Sequence, residues 1–132
     1  MTLHPGDALP PLAVGEITRE RMVAIMGVMG DPNPIHSDHE LALSLGFRGI
    51  VNQGPANMAY VANMLMRLTG DPAAIRVLAF RFHDNVVPGD QLTATGRVLA
   101  VRGRELDCDF RLEGADGRVP LTGEATVVLP DA

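Results

Sequence analysis

Residues 55–68 read Pro-Ala-Asn-Met-Ala-Tyr-Val-Ala-Asn-Met-Leu-Met-Arg-Leu, and this stretch limits the fold more than any other. Proline suits the first turn of a helix. Met58, Ala59, Tyr60, Val61, Ala62, Met64, Leu65 and Met66 then leave that helix apolar on nearly every side. A helix of this kind belongs in an interior. The chain has 132 residues, which fits one compact domain over 1–132, so something large has to wrap the helix.

The second half of the chain supplies the wrapping. Strands are expected at 75–82, 91–101, 105–112 and 118–129. Leu106, Cys108, Phe110 and Leu112 alternate with Glu105, Asp107, Asp109 and Arg111, the period of a half-buried strand. Turns are expected at Val87-Pro88-Gly89-Asp90, near Gly103 and at Gly114-Ala115-Asp116-Gly117. Short loops between long strands predict an antiparallel meander. Before the long helix come a short strand at 11–17 and a helix from Thr18 to about Met29, with Met22, Ile25, Met26 and Met29 at helical spacing. A second short helix follows Ser37, whose spacing to Glu40 is that of a capping box, and Gly46 ends it. The sum is an α+β fold, one buried helix against one curved sheet. A single sheet cannot cover a helix that is apolar all round, so a second subunit is expected to complete the burial.

Composition removes several function classes. The net charge is −5, whereas basic patches supply most of the affinity for duplex nucleic acid. All eleven basic residues are arginine, so Schiff-base chemistry has no lysine to use. The single cysteine, Cys108, forms no intrachain disulfide and reads as a small buried hydrophobe. The first residues lack the basic and apolar regions of a signal peptide. No apolar run reaches the roughly 18 residues of a membrane span. A cytoplasmic protein with neither nucleic acid nor membrane as partner is expected.

The informative segment is Gly30-Asp31-Pro32-Asn33-Pro34-Ile35-His36. Two prolines flanking an asparagine stop the helix and force an extended loop. Taken alone this is turn chemistry, with His36 a surface residue before a cap. Yet a carboxylate and an imidazole five residues apart on a stiffened loop can be held toward one point at little entropic cost, with Ile35 pinning the loop into the core. Gly54 opens the buried helix. The first N–H groups of a helix lack internal partners and lie at its positive end, so an oxygen gaining negative charge is stabilised there. Without a Cβ, Gly54 permits close approach, although a simple tight turn also explains it.

These residues, Gly30-Asp31-x-Asn33-Pro34-Ile35-His36, then Gly46-Phe47 and Gly54, resemble the hydratase motif of MaoC-like dehydratases, the (R)-specific enoyl-CoA hydratases. Arg81-Phe82 and Val87-Pro88-Gly89-Asp90 resemble that family's later strand and turn. The resemblance implies a hot-dog fold, an antiparallel sheet wrapped around a long central helix. It also implies dimerisation and an acyl-CoA substrate, with no cofactor and no metal beyond that thioester. Asp31 and His36 would orient and activate water, the Gly54 N–H would bind the thioester oxygen, and Asn33 would brace the loop or His36. Many family members carry His just before the glycine matching Gly54. Here Asn52-Gln53 precede it, amides that hydrogen-bond without titrating near neutral pH, which bears on substrate orientation. An apolar tunnel for the acyl chain could draw on Met58, Met64 and Met66, which equally suit core packing. CoA phosphates would seek arginines such as Arg48, Arg81 or Arg104.

Three other readings compete. A metal hydrolase could use Asp31, His36 and His39, but no HExxH or cysteine cluster is present. A hot-dog acyl-CoA thioesterase usually places an acid on or beside the central helix, and residues 55–68 offer Asn57 and Asn63 but no Asp or Glu. A non-catalytic or half-catalytic subunit of a heteromeric hydratase is the third. With Asp31 and His36 both present, this chain would be the active member of such a pair. Otherwise a homodimer or larger oligomer is expected.

Overall fold

A computed structural model describes residues 2–131. Among them the chain forms β1 (Leu12–Glu16), α1 (Arg19–Met29), α2 (His39–Ser44), α3 (Gly54–Thr69), β2 (Ile75–Phe82), β3 (Gln91–Arg102), β4 (Glu105–Gly114) and β5 (Leu121–Val128). Short 3-10 turns lie at Pro34–His36 and Pro72–Ala74. The strands build one antiparallel sheet in the order β1-β3-β4-β5-β2. The expected meander holds for β3-β4-β5, but β2 lies on the far side of β5 and β1 closes the opposite edge. The connection from β2 to β3 covers residues 83–90. That is longer than the two to five residues of a hairpin, and it carries the chain across the sheet.

α3 runs along the concave side and touches all five strands, the hot-dog arrangement. Ala56, Asn57, Tyr60, Val61, Met64, Leu65, Leu68 and Thr69 are its buried residues. Burial of each large apolar side chain contributes about 1.5–3 kcal/mol, so this face anchors the domain. The helix is not covered all round, however. Pro55, Ala59, Asn63 and Arg67 are exposed, and Met58, Ala62 and Met66 are half-buried. One sheet reaches only part of a helix circumference, and the outward strip is made of small and polar residues.

Two local expectations are corrected. The short helix α2 is capped by Asp38, whose carboxylate accepts from the Leu41 N–H at 3.1 Å, and Ser37 does not cap it. The 3-10 turn takes Ser37 as its C-terminal cap, with the Ser37 N–H bonded to the Pro34 carbonyl. Asp38 is thereby left as the extended residue before the helix. In α1, Thr18 caps the start by accepting from the Arg21 N–H, but Met22 is its buried residue. Met29 is 41% exposed and Val28 90%, so the helical spacing of the methionines does not translate into four core contacts.

The curvature has a visible origin. Gly96, Phe110, Gly123 and Phe80 stand side by side on β3, β4, β5 and β2, and the rings of Phe80 and Phe110 meet edge to face at 5.4 Å. A Cβ on Gly123 would overlap the Ala79 carbonyl oxygen and come within 2.5 Å of the Phe110 ring. On Gly96 it would come within 2.7 Å of the Asp109 carbonyl oxygen. Glycine on both sides of Phe110 lets the backbones close in where the sheet bends over α3.

Cys108 is fully buried in the core. Burial, helped by the nearby Asp109 charge, pushes its thiol up to about 11. The thiolate is the reactive form, so a thiol reagent at pH 8 should label Cys108 only after denaturant is added. Rapid labelling of the native protein would contradict this packing.

Candidate active site

Backbone geometry shapes the loop between α1 and α2. Gly30 ends α1 in the left-handed conformation (φ 62°) and returns its N–H to the Met26 carbonyl. Asp31 Oδ1 then accepts from the Asn33 N–H at 3.0 Å, and Asn33 Oδ1 accepts from the Ile35 N–H at 3.2 Å. Such side-chain-to-backbone bonds hold short turns. Pro34 sits at the start of the 3-10 turn rather than in a fully extended stretch, because its fixed φ suits a first helical position as well. Asn33 therefore braces the loop, and its carbonyl accepts from the His36 N–H at 3.2 Å. Ile35 is only half-buried, and hydrogen bonds pin the loop more than its side chain does.

Those bonds run to the segment leading into α3. The Val51 N–H donates to the Ile35 carbonyl at 2.9 Å, and His36 Nδ1 lies 2.5 Å from the Val51 carbonyl oxygen. His36 is 7% exposed, so it is not a surface residue. A carbonyl only accepts, so Nδ1 carries a proton there. The other ring nitrogen, Nε2, faces Asp31 Oδ2 at 3.1 Å. The two groups lie within hydrogen-bonding distance of each other. The Asp31 side chain is 28% exposed and forms the open end of the pair.

Three residues after Val51, α3 begins at Gly54. Its cap residue Gln53 makes no side-chain capping bond. Among the described residues no backbone carbonyl outside the helix accepts from the Gly54 N–H, so that donor remains available at the positive end of a 16-residue helix. A Cβ on Gly54 would meet the Phe82 ring at 3.4 Å, so Phe82, itself half-exposed, walls this terminus. Asn52 and Gln53 are buried beside it. Asn52 Nδ2 donates to Asn57 Oδ1 at 2.9 Å and to the Tyr60 hydroxyl at 3.3 Å.

The structure thus brings Asp31, Asn33 and His36 together on one loop and ties that loop to Asn52, Gln53 and Gly54. Sequence reasoning did not assign Asn57, Tyr60, Phe82 or the Val51 carbonyl to the site. Asn57 carried a signal, a polar residue one turn beyond Gln53 in an apolar helix. The Val51 carbonyl carried none, because every residue has one. The candidate arginines separate. Arg48 forks onto Asp90 at 2.9 and 3.1 Å and reaches the Asn85 carbonyl, and Asp90 holds its guanidinium above the ordinary value. Arg104 pairs with Asp131. Arg81 makes no ion pair among the described residues. His39 lies against Gly49, and among the described residues no three His, Cys, Asp or Glu side chains gather as a metal-ligating group. Met64 is buried in the core, and Met58 and Met66 are half-buried. A groove of about 830 Å³ on the sheet, lined by Phe80, Arg81, Arg97, Asp109 and Arg111 among others, does not include Asp31, His36 or Gly54. No helix among the described residues is long and apolar enough to cross a membrane.

Comparison with known proteins is consistent across three kinds of match. A family model described as "MaoC like domain" matches residues 10–108. The 3-hydroxyacyl-thioester dehydratase Y of Mycobacterium tuberculosis is 36% identical over 140 residues, covering 95% of this chain and 42% of that protein. The (R)-specific enoyl-CoA hydratase of Rhodospirillum rubrum is 28% identical over 116 residues, covering 86% of this chain and 81% of that one. The chain spans only 28% and 14% of the lengths of two other curated relatives it matches. Among solved structures, an (R)-hydratase from A. caviae involved in PHA biosynthesis superposes with a TM-score of 0.85 at 23% identity, over 98% of each chain. At that identity the superposition speaks for the fold.

Proposed function

The chain belongs to the MaoC-like domain family, and on that premise we propose that it is a hydratase/dehydratase adding water reversibly to a trans-2-enoyl-CoA to give an (R)-3-hydroxyacyl-CoA. The observation that carries this reading is the 3.1 Å contact between His36 Nε2 and Asp31 Oδ2, on a loop hydrogen-bonded to the segment that ends at the free N-terminus of α3. In the hydration direction, water sits at the exposed edge of the Asp31–His36 pair. Its oxygen bonds to C3 as the pair takes its proton. The C2–C3 π electrons move toward the thioester, whose oxygen gains charge against the Gly54 N–H. A proton returned to C2 completes the addition, and the pair ends as it began. Loss of enoyl absorbance across a panel of enoyl-CoAs, without release of free thiol, is the expected result. Release of thiol in step with substrate loss would contradict it.

The exposed strip of α3 and the outer edge of β2 support a homodimer. Val77 and Phe82 on β2 are 56% and 52% exposed, and an edge strand is a ready template for pairing with a second copy. Coenzyme A is the carrier of the substrate in this reading, and of Arg48, Arg81 and Arg104 it is Arg81 that has no ion pair among the described residues and is open to its phosphates.

Gly54→Ala tests the role of the helix terminus. Alanine suits a helical backbone by about 0.5–1 kcal/mol over glycine, and the half-exposed Phe82 ring can yield to the new methyl. Stability should therefore change little, while displacement of the thioester lowers kcat/KM by about 10²-fold. Wild-type kcat/KM in a folded Gly54→Ala protein would remove Gly54 from the site.

A further inference from the structure

The carbonyl that meets His36 Nδ1 belongs to the peptide joining Val51 to Asn52. The other side of that peptide, the Asn52 N–H, donates to the Val86 carbonyl at 2.7 Å. From there Asn52 and Gln53 lead to the Gly54 N–H, and neither lies in a helix or strand. Such a link has no ladder of its own to fix its shape. The Asn52 side chain supplies a fixing point, because its Nδ2 donates to Asn57 Oδ1 at 2.9 Å and to the Tyr60 hydroxyl at 3.3 Å, both on α3. Asn52 and Asn57 are 2% and 3% exposed, so water does not compete for these bonds. Tyr60 in turn lies under the Arg21 guanidinium, 5.5 Å from its ring centroid, and Arg21 belongs to α1, the helix that delivers Asp31. Asn52 Oδ1 has no partner among the described residues, a cost that a leucine would avoid, so packing alone does not account for an amide here.

We propose that Asn52 is a positioning residue: by fastening the link at 52–53 to α3, it fixes where the His36 imidazole stands relative to the Gly54 N–H. The inference rests on the hydration reading above. In that reading the spacing has to match two points on one substrate, C3 beside the Asp31–His36 pair and the thioester oxygen at the helix terminus. Conjugation holds those two points in one plane, so the substrate sets the spacing and the protein has to meet it. Misplacement by about 1 Å costs about 10²-fold in rate. Asn52 is sealed within the protomer and touches no substrate. It acts through the Val51 carbonyl on one side and through α3 on the other.

The test uses Asn52→Leu and the double variant Asn52→Leu/Asn57→Leu, which removes donor and acceptor together and so strands neither. If Asn52→Leu alone fails to fold, the double variant carries the test. On trans-2-octenoyl-CoA it should lose at least about tenfold in kcat, with KM within about twofold of wild type, because the groups that hold the substrate are untouched. A second readout does not depend on activity. In spectra of ¹⁵N-histidine-labelled protein, the proton on His36 Nδ1, identified by its loss in His36→Ala, should exchange with water at least about tenfold faster in the double variant. A kcat within about threefold of wild type overturns the proposal, and so does an unchanged exchange rate. A wild-type protein that hydrates no enoyl-CoA removes the hydration reading by itself, and the exchange rates still decide whether Asn52 holds His36 in place.

Discussion

Asp31→Asn should lower turnover on an enoyl-CoA by about 10²–10⁴-fold, the usual contribution of a general acid–base group, while the loop keeps its shape. Asparagine retains an Oδ1 to accept from the Asn33 N–H, the bond that sets the turn after Gly30. It removes the carboxylate oxygen that faces His36 Nε2 at 3.1 Å. His36→Ala should lose turnover by a similar factor. It also strands the buried Val51 carbonyl that His36 Nδ1 now meets, which costs about 1–3 kcal/mol of stability, so its assay belongs well below its Tm. Because the two side chains act on one proton, their losses should not add. The double variant should fall no further than the worse single variant, as expected for residues that work as a unit. Stopped assays over a range of protein concentrations read these factors directly. Turnover within threefold of wild type in both folded single variants contradicts the mechanism.

The second large effect lies in the sheet. Gly123→Ala should destabilise the protein by more than about 4 kcal/mol, a loss comparable with the whole stability of many domains. The new methyl overlaps the Ala79 carbonyl oxygen and approaches a Phe110 ring carbon to 2.5 Å. A backbone atom cannot swing aside as a side chain can. β2 would have to part from β5, and β2 carries Phe82, the ring against Gly54. Gly27→Ala is the matched control. It lies inside α1 with nothing within 4 Å of the new methyl, and should stabilise by about 0.5–1 kcal/mol. Urea melts of the two variants should move in opposite directions. A Gly123→Ala protein as stable as wild type would show that the close strand packing at this row is not required.

The elements differ in how far the sequence exposes them. The interior helix and the alternating strand β4 are legible because burial writes a period into the residues that face the core. The nearness of Asp31 and His36 is legible for a different reason: five residues with two prolines between them leave few conformations. The position of β2 beyond β5 is not written in β2 itself. It depends on the path of residues 83–90, which only the packed sheet decides. Asp38 replaces Ser37 as the cap because the preceding turn consumes Ser37, and both residue types cap equally well in isolation. That one sheet leaves part of α3 uncovered was expected, but the small and polar make-up of the uncovered strip was not, because Ala59 counts as apolar while covering little area. The Val51 carbonyl, which sets the His36 proton, is backbone and leaves no mark in the sequence.

Incubation of the protein with a trans-2-enoyl-CoA in ¹⁸O-labelled water, followed by mass spectrometry of the intact thioester, tests the central chemistry most directly. Water added at C3 beside Asp31 and His36 predicts one ¹⁸O in the acyl group of an intact CoA thioester, with formation slowed in Asp31→Asn. Label found instead in a free carboxylate, with CoA released, would contradict it.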